Sequence, residues 1–247
     1  MSGTVTAAVD LHCHILPGLD DGARDLDDAV EMARQAEADG IAAVCATPHI
    51  RHDHAVAIAE LPQRLAELSG AVRAAGCGTR ILTGAEVAVT ALGDLEDDDL
   101  RAVALGGSAR WILLEPAPGP VDRRLQTAVT ALRTRGFRAL IAHPERHLGP
   151  DLAGRLAALV DLGALVQVTG AALTDETTRA GMAELVSAGV VHVLGSDSHS
   201  SRFGRPVALA AALEVLGELE PTIRHLTWIG RTAPLAIIDG RELRSPF

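Results

Sequence analysis

An α/β protein, wound as a distorted TIM-like barrel of seven (β/α) units, is predicted by three observations. Four helix-like segments end in glycine and run at once into an apolar stretch: "ADGIAAVCA", "TRGFRALIA", "DLGALVQV" and "SAGVVHVL". Three further runs, "AAVDLHCHI", "TRILTGAEV" and "RWILLEP", bring the strand candidates to seven, with helical or mixed segments between them. That alternation is the signature of a parallel sheet. Finally, an ionisable residue stands at the end of almost every apolar run, as expected where strand ends converge on one face of a barrel. An open, doubly wound sheet is the competing arrangement.

The elements justify themselves in order. Gly40, Gly136, Gly163 and Gly189 read as helix stops, because glycine accepts the left-handed backbone that ends a helix. Asp25, Asp122 and Asp151 are candidate N-caps, and Leu26, Ala29, Val30 and Ala33 give the first helix its apolar spacing. No composition break or low-complexity linker interrupts the 247 residues, so residues 1–247 are expected to form a single domain.

Composition excludes several classes of function. A net charge of −10 leaves no electrostatic footprint for nucleic acid. No stretch approaches the roughly eighteen apolar residues of a membrane span, and "MSGTVTAAVD" lacks the basic start and apolar core of a signal peptide. A cytoplasmic protein without membrane insertion is expected. Cys13, Cys45 and Cys77 are scattered and odd in number, which argues against disulfides and thiolate metal sites. All 22 basic side chains are arginine, so mechanisms that need a lysine are excluded. The sequence assigns no oligomeric state.

The strand ends carry the chemistry. They are His12 and His14 in "DLHCHILPGLDDG", His49 in "ATPH", Glu86 in "TGAE", Glu115 in "LLEP", His143 in "AHPE", the segment "VTGAA", and Asp197 with His199 in "GSDSH". From His14 onward, with Gly170 standing for the sixth, successive sites lie 27 to 37 residues apart, a sensible length for one βα unit. In a regular strand Asp10, His12 and His14 share one face and Leu11 and Cys13 the other. Burying this many ionisable groups without a cation is costly, so metal is expected. Imidazoles mixed with carboxylates suit Mn²⁺, Fe²⁺ or Zn²⁺, and the number of donors calls for two or three ions.

Arg146, three residues after His143, can clamp phosphate oxygens; Arg202 and Arg205, after the last candidate ligands, offer a second clamp. His192 reads as a packed core histidine, His52 and His54 as loop residues, and His147 as a neighbour of the site or a surface group; His225 is given no role. Trp111 and Phe203 are the aromatic residues expected near the site edges.

Taken together, "DLHCHILPGLDDGA", "ATPH", "GAE", "LLEP", "AHPER" and "SDSH", in that order over roughly residues 9 to 206, resemble the PHP (polymerase and histidinol phosphatase) superfamily. More narrowly they are similar to the bacterial capsule-type manganese-dependent protein-tyrosine phosphatases. The resemblance implies a PHP fold and a trinuclear, most readily Mn²⁺, site. His12, His14, Glu86 and Asp197 would hold one ion, Glu86 would bridge to a second bound by Glu115 and His143, and Asp21, His49 and His199 would hold the third. Arg146 matches the arginine that binds substrate phosphate, and Arg205, preceding Pro206, matches a second.

The activity implied is hydrolysis of a phosphomonoester by metal-activated hydroxide, with phosphotyrosine of a capsule or exopolysaccharide tyrosine kinase as substrate. The general acid is open between Asp197 and His199. Two alternatives stand beside it: a PHP phosphatase or phosphodiesterase acting on a small phosphomonoester such as histidinol phosphate, and a non-catalytic, metal-stabilised regulatory module. Asp10 is expected to support the ligands and Asp20 to be structural.

Overall fold

The computed structural model describes residues 7–247 apart from Leu148 and Pro150. The start of the chain, read as lacking a signal sequence, lies outside the described residues. Among the described residues nine strands, all paired in parallel, run β1 (Val9–Cys13), β2 (Ala43–Ala46), β3 (His49–Ile50), β4 (Arg80–Leu82), β5 (Glu86–Ala88), β6 (Trp111–Glu115), β7 (Arg138–Ile141), β8 (Leu165–Thr169) and β9 (Val193–Gly195).

They form two sheets, ordered β1-β2-β4 and β3-β5-β6-β7-β8-β9. Each of two predicted strands is broken in the middle. Pro48, which has no N–H to give to a ladder, separates β2 from β3, and Thr83 to Ala85 separate β4 from β5. The breaks lie side by side: a Cβ on Gly84 would come within 3.2 Å of the Thr47 methyl. Across them the stave continues, since Thr47 N donates to Cys13 O at 2.9 Å and Glu86 N to Pro48 O at 3.1 Å. The last strand returns to the first through a Cys13–Ser198 bridge, with Asp197 N donating to His12 O at 2.8 Å. Seven staves result, closed into the distorted barrel that the alternation predicts.

The glycine stops behave as read: Gly40, Gly136, Gly163 and Gly189 all have positive φ, between 67° and 93°. Asp25 caps α1 (Leu26–Ala38) by accepting from Asp28 N, and Asp122 caps α2 (Arg123–Thr134) by accepting from Arg124 N. Asp151 departs from expectation. It precedes α3 (Leu152–Asp161) in a left-handed backbone, φ 60°, and its side chain makes no cap hydrogen bond. Its carboxylate lies instead where a Cβ on Gly154 would sit.

Two apolar clusters hold the barrel. One lies between staves and helices, with Met32, Leu68, Leu100, Leu132, Leu156 and Leu213 among its buried members. The other fills the lower barrel with Val9, Leu11, Cys45, Trp111, Leu113 and Leu140, and is plugged from below by Ala233 and Ile237 of the last helix (Ala233–Ile238). Trp111 is fully buried there, its Nε1 donating to Arg241 O at 3.0 Å. It opens β6 and so belongs to the end opposite the strand termini; the expectation that it edges the site is corrected. Among the described residues no helix is long and apolar enough to cross a membrane.

Candidate metal centre

The first strand does not alternate as a regular strand would. Its register against β2 shifts between Asp10 and Cys13, leaving Leu11 in the barrel interior with Val9 while Cys13 packs outward among the helices. The irregularity is a β-bulge, which re-aims side chains next to it. Asp10 therefore does not line up with the two histidines. Its Oδ1 accepts from His12 N at 3.2 Å and Ser196 N at 3.0 Å, so it fixes the backbone where the first and last strands meet.

His12 and His14 then aim at one point. His12 Nδ1 meets Gln167 Oε1 at 2.9 Å and His14 Nδ1 meets Asp20 Oδ2 at 2.8 Å. Both partners are acceptors, so each ring keeps its proton on Nδ1 and turns its Nε2 lone pair inward. The two Nε2 atoms are 3.2 Å apart. Glu86 Oε2 is 3.5 Å from each, and Asp197 Oδ1 is 3.5 and 3.7 Å away. Lone pairs converging in this way repel unless a cation or proton lies among them.

The remaining residues extend the cluster on both sides. His143 Nε2 lies 2.7 Å from Glu86 Oε1, and His49 Nδ1 lies 2.9 Å from Glu86 Oε2 and 3.9 Å from Glu115 Oε2. Asp21 Oδ1 stands 3.5 Å from His49 Nε2 and 3.5 Å from His199 Nε2. Four groups of donor atoms close enough to share an ion result: His14, Asp21, His49 and His199; His12, Glu86 and His143; His12, His14 and Asp197; His49, Glu86 and Glu115. Their members are the nine candidate ligands read from the sequence.

The donor set fits divalent cations. Glu115 Oε2, His143 Nδ1 and Asp197 Oδ1 are buried without a hydrogen-bond partner, an expensive arrangement in the absence of an ion. Burial alone would raise the Glu86 pKa, but His12, His14 and His143 hold it well below the usual carboxylate range. Burial and the neighbouring Glu86 charge push Glu115 up. Burial opposes protonation of His14, yet Asp20 and Glu86 raise it to about 9. His143 and Asp197 adopt left-handed φ values of 28° and 51°, strained positions for residues with side chains.

Both expected phosphate clamps converge on Asp197. Arg146, on the 3-10 turn Pro144–His147, and Arg205 both pair with Asp197 Oδ2, the latter at 2.8 Å, while Oδ1 faces the histidines. Arg205 also donates from Nη2 to Asp197 O at 2.7 Å. The structure does not bring Arg202 to the cluster: it pairs with Asp25 at 3.4 Å on the outer surface. Of the other histidines, His192 is buried with Nδ1 accepting from Val166 N, and His52 is exposed. The His54 ring stacks on His49 with centroids 5.0 Å apart, and His147 Nδ1 donates to Gly119 O at 2.9 Å.

Sequence reasoning missed Gln167 and Arg51, and gave Asp20 no ligand to hold. Gln167 interrupts the apolar "LVQV" at an inward position, a polar residue where none is needed for packing. Arg51 Nη1 donates to Glu115 Oε1 at 3.1 Å, turning Oε2 toward His49. Asp20 also accepts from His49 N and Gly22 N, and a Cβ on Gly22 would run into the His14 backbone, so the "PGLDDG" turn closes directly over His14.

Known proteins share this frame. Tyrosine-protein phosphatase YwqE of Bacillus subtilis (strain 168) is 32% identical over 203 residues, 78% of this chain and 77% of the relative. A solved structure from work on YwqE and on CpsB of Streptococcus pneumoniae, described as metal-dependent tyrosine phosphatases, superposes with a TM-score of 0.80 at 28% identity. It covers 94% of this chain and 95% of that one. An organophosphorus hydrolase variant matches at TM-score 0.56 and 13% identity, covering 96% and 94%, a likeness of fold alone. The model of the capsular polysaccharide synthesis family CpsB/CapC matches residues 8–219, and the chain belongs to that family.

Proposed function

We propose that this protein is a metal-dependent protein-tyrosine phosphatase, a single catalytic domain acting in the cytoplasm on phosphotyrosine of a capsule or exopolysaccharide tyrosine kinase. Three Mn²⁺ ions would be held by His12, His14, Asp21, His49, Glu86, Glu115, His143, Asp197 and His199. The observation that carries the reading is the double role of Asp197, one oxygen facing the imidazole cluster and the other held by two arginines. Two guanidinium groups at the rim of a metal cluster suit a phosphate dianion, and a protein using metal for structure alone has no use for them.

When bound, the ions supply Lewis-acid stabilisation of phosphoryl oxygens and a water made acidic enough to attack at neutral pH. The chain's own residues do the rest. Arg146 and Arg205 orient the phosphate and neutralise charge on its equatorial oxygens. Asp20 and Gln167 hold the His14 and His12 rings in the tautomer that points Nε2 inward. His199 Nδ1 donates to the Asp197 carbonyl and its Nε2 faces Asp21, so neither His199 nor the arginine-bound Asp197 has a free proton to give. Solvent protonates the phenolate as it leaves. The buried, unpaired Cys13, Cys45 and Cys77 suit a reducing compartment.

Protein loaded with Mn²⁺ is expected to release phosphate from p-nitrophenyl phosphate and a phosphotyrosyl peptide, and to stop when chelated. Hydrolysis of an amide or cyclic imide with no phosphate release overturns the reading. Arg146→Ala is expected to retain metal and weaken phosphate handling by about 2–3 kcal/mol, the range of a charged hydrogen bond. Arg202→Ala, which removes only an exposed pair, should leave kcat/KM within about twofold.

A further inference from the structure

The chain contains two tryptophans, three phenylalanines and no tyrosine. Trp111 and Phe137 are buried, Trp228 packs against the apolar clusters, and Phe247 meets His192 and His225 edge-on. Phe203 alone stands on the loop that follows the last strand, and it is 63% exposed. It lies between His199 and Arg205 in sequence, its Cα within about 7 Å of the Cα of the arginine on Asp197 by chain reach.

This exposed ring is held in place rather than left loose. Arg24, three residues after Asp21, sits with its guanidinium carbon 5.3 Å from the Phe203 centroid, a cation–π contact on one face. A single carboxylate fastens the two segments that carry the pair: Asp28 accepts from Arg24 N at 3.3 Å, from Ser201 N at 2.8 Å and from the Ser200 and Ser201 hydroxyls. Gln35 closes the loop on either side of Phe203, donating to Ser201 O at 3.0 Å and accepting from Val207 N at 3.2 Å. Ser198 Oγ donates to Arg205 O at 2.7 Å, and Gly204, at φ 78°, makes the turn between Phe203 and Arg205. So many anchors on a loop that ends in a solvent-exposed phenyl ring are unexplained by folding, since Phe203 adds nothing to either apolar cluster.

We propose that Phe203, backed by Arg24, is the surface against which the phenyl ring of the substrate packs once its phosphate is held by Arg146 and Arg205, making it the residue that selects aromatic over aliphatic phosphomonoesters. The inference rests on the phosphatase reading and supplies its substrate preference. One face of the ring is occupied by Arg24 and the rest is open, the geometry needed for an offset or edge-on aromatic partner. Arg24 fixes the tilt of the platform and does not contact the reacting atoms.

The test uses the full chain loaded with Mn²⁺, with a phosphotyrosyl peptide and phenyl phosphate against a phosphoseryl peptide of the same flanks and β-glycerophosphate. Phe203→Ala is expected to raise KM for the two aromatic substrates about five- to tenfold, the size of one aromatic contact, with kcat unchanged and the aliphatic substrates unaffected. The Kd of a peptide carrying non-hydrolysable phosphonodifluoromethyl-phenylalanine should rise in parallel, while that of inorganic phosphate should not. Phe203→Trp should restore the aromatic preference. An unchanged aromatic KM, or an equal loss on aromatic and aliphatic substrates, overturns the inference and leaves the phosphatase reading standing. A wild-type protein that releases phosphate from none of the four substrates overturns both.

Discussion

At the N-terminal ends of the staves, Val9, Leu11, Cys45, Trp111, Leu113, Leu140 and Val193 fill the barrel with hydrocarbon and are capped by Ala233 and Ile237. At the C-terminal ends of the same staves, His12, Glu86, His143 and Asp197 are buried just as deeply, with several of their polar atoms unpartnered. The lower half stabilises the fold with no ligand at all. The upper half gains its compensation only when cations lie among the donors, so its cost is borne by the packing beneath it. Site and scaffold are thus stacked along one barrel axis, and each can be perturbed separately.

The largest expected effect is at the upper end. His12→Ala or Glu86→Ala should lower turnover by about a thousandfold or more, because each removes a donor shared by two of the groups. Metal analysis should find ions lost, and the rise in Tm that Mn²⁺ gives the wild type should shrink with them. A variant that kept full metal content would break the proposed ligand set. Next comes the scaffold: Leu113→Ala should cost about 2–5 kcal/mol of stability by opening a cavity among fully buried neighbours. Its metal stoichiometry, measured well below Tm, should not change, and loss of metal there would show that the two halves are coupled.

The smallest expected effect concerns His192, a titratable group of the lower half. Burial pushes its imidazole down to about 4 from the usual 6.5. Above pH 6.5 both folded and unfolded forms are neutral. Between 6.5 and about 4 only the unfolded chain takes up the proton, so stability falls as pH falls, by up to about 1.4 kcal/mol per pH unit from this group. Denaturant unfolding of chelated protein across that window should give a shallower acid limb for His192→Gln than for the wild type. Parallel limbs would mean that His192 takes up its proton at the same pH in the folded and unfolded states.

Much of the site was legible because chemistry and spacing coincide. Histidine, glutamate or aspartate at the end of each apolar run, one βα unit apart, needs no coordinates to suggest a ring of donors, and Gly40, Gly136, Gly163 and Gly189 punctuate the units. What escaped depends on distance across the barrel. Gln167 reaches His12 from a strand 155 positions away, and Arg51 reaches Glu115 from 64. The β1 bulge escaped because local alternation is read as regular until a partner strand sets the register.

The two arginines of the last loop carry the same lesson. Arg202 and Arg205 are equivalent by composition and nearly so by position, yet Arg202 turns to Asp25 and Arg205 to Asp197. The two aromatic residues expected at the site edges divide likewise. Trp111 begins its strand and sinks into the lower barrel, whereas Phe203 follows the last strand and stays exposed.

By itself the sequence determined the α/β alternation, the eight candidate ligands at strand ends and Arg146, because residue type and the period of a βα unit are properties of the chain alone; Asp21 joined them only through the family resemblance. Only the tertiary structure decided which nitrogen of each imidazole points inward, which carboxylate oxygen is left unpartnered, and which arginine meets Asp197. These are fixed by hydrogen bonds between segments far apart in the chain, Asp20 to His14, Gln167 to His12 and Asp28 to the Phe203 loop, and they exist only once the barrel has closed.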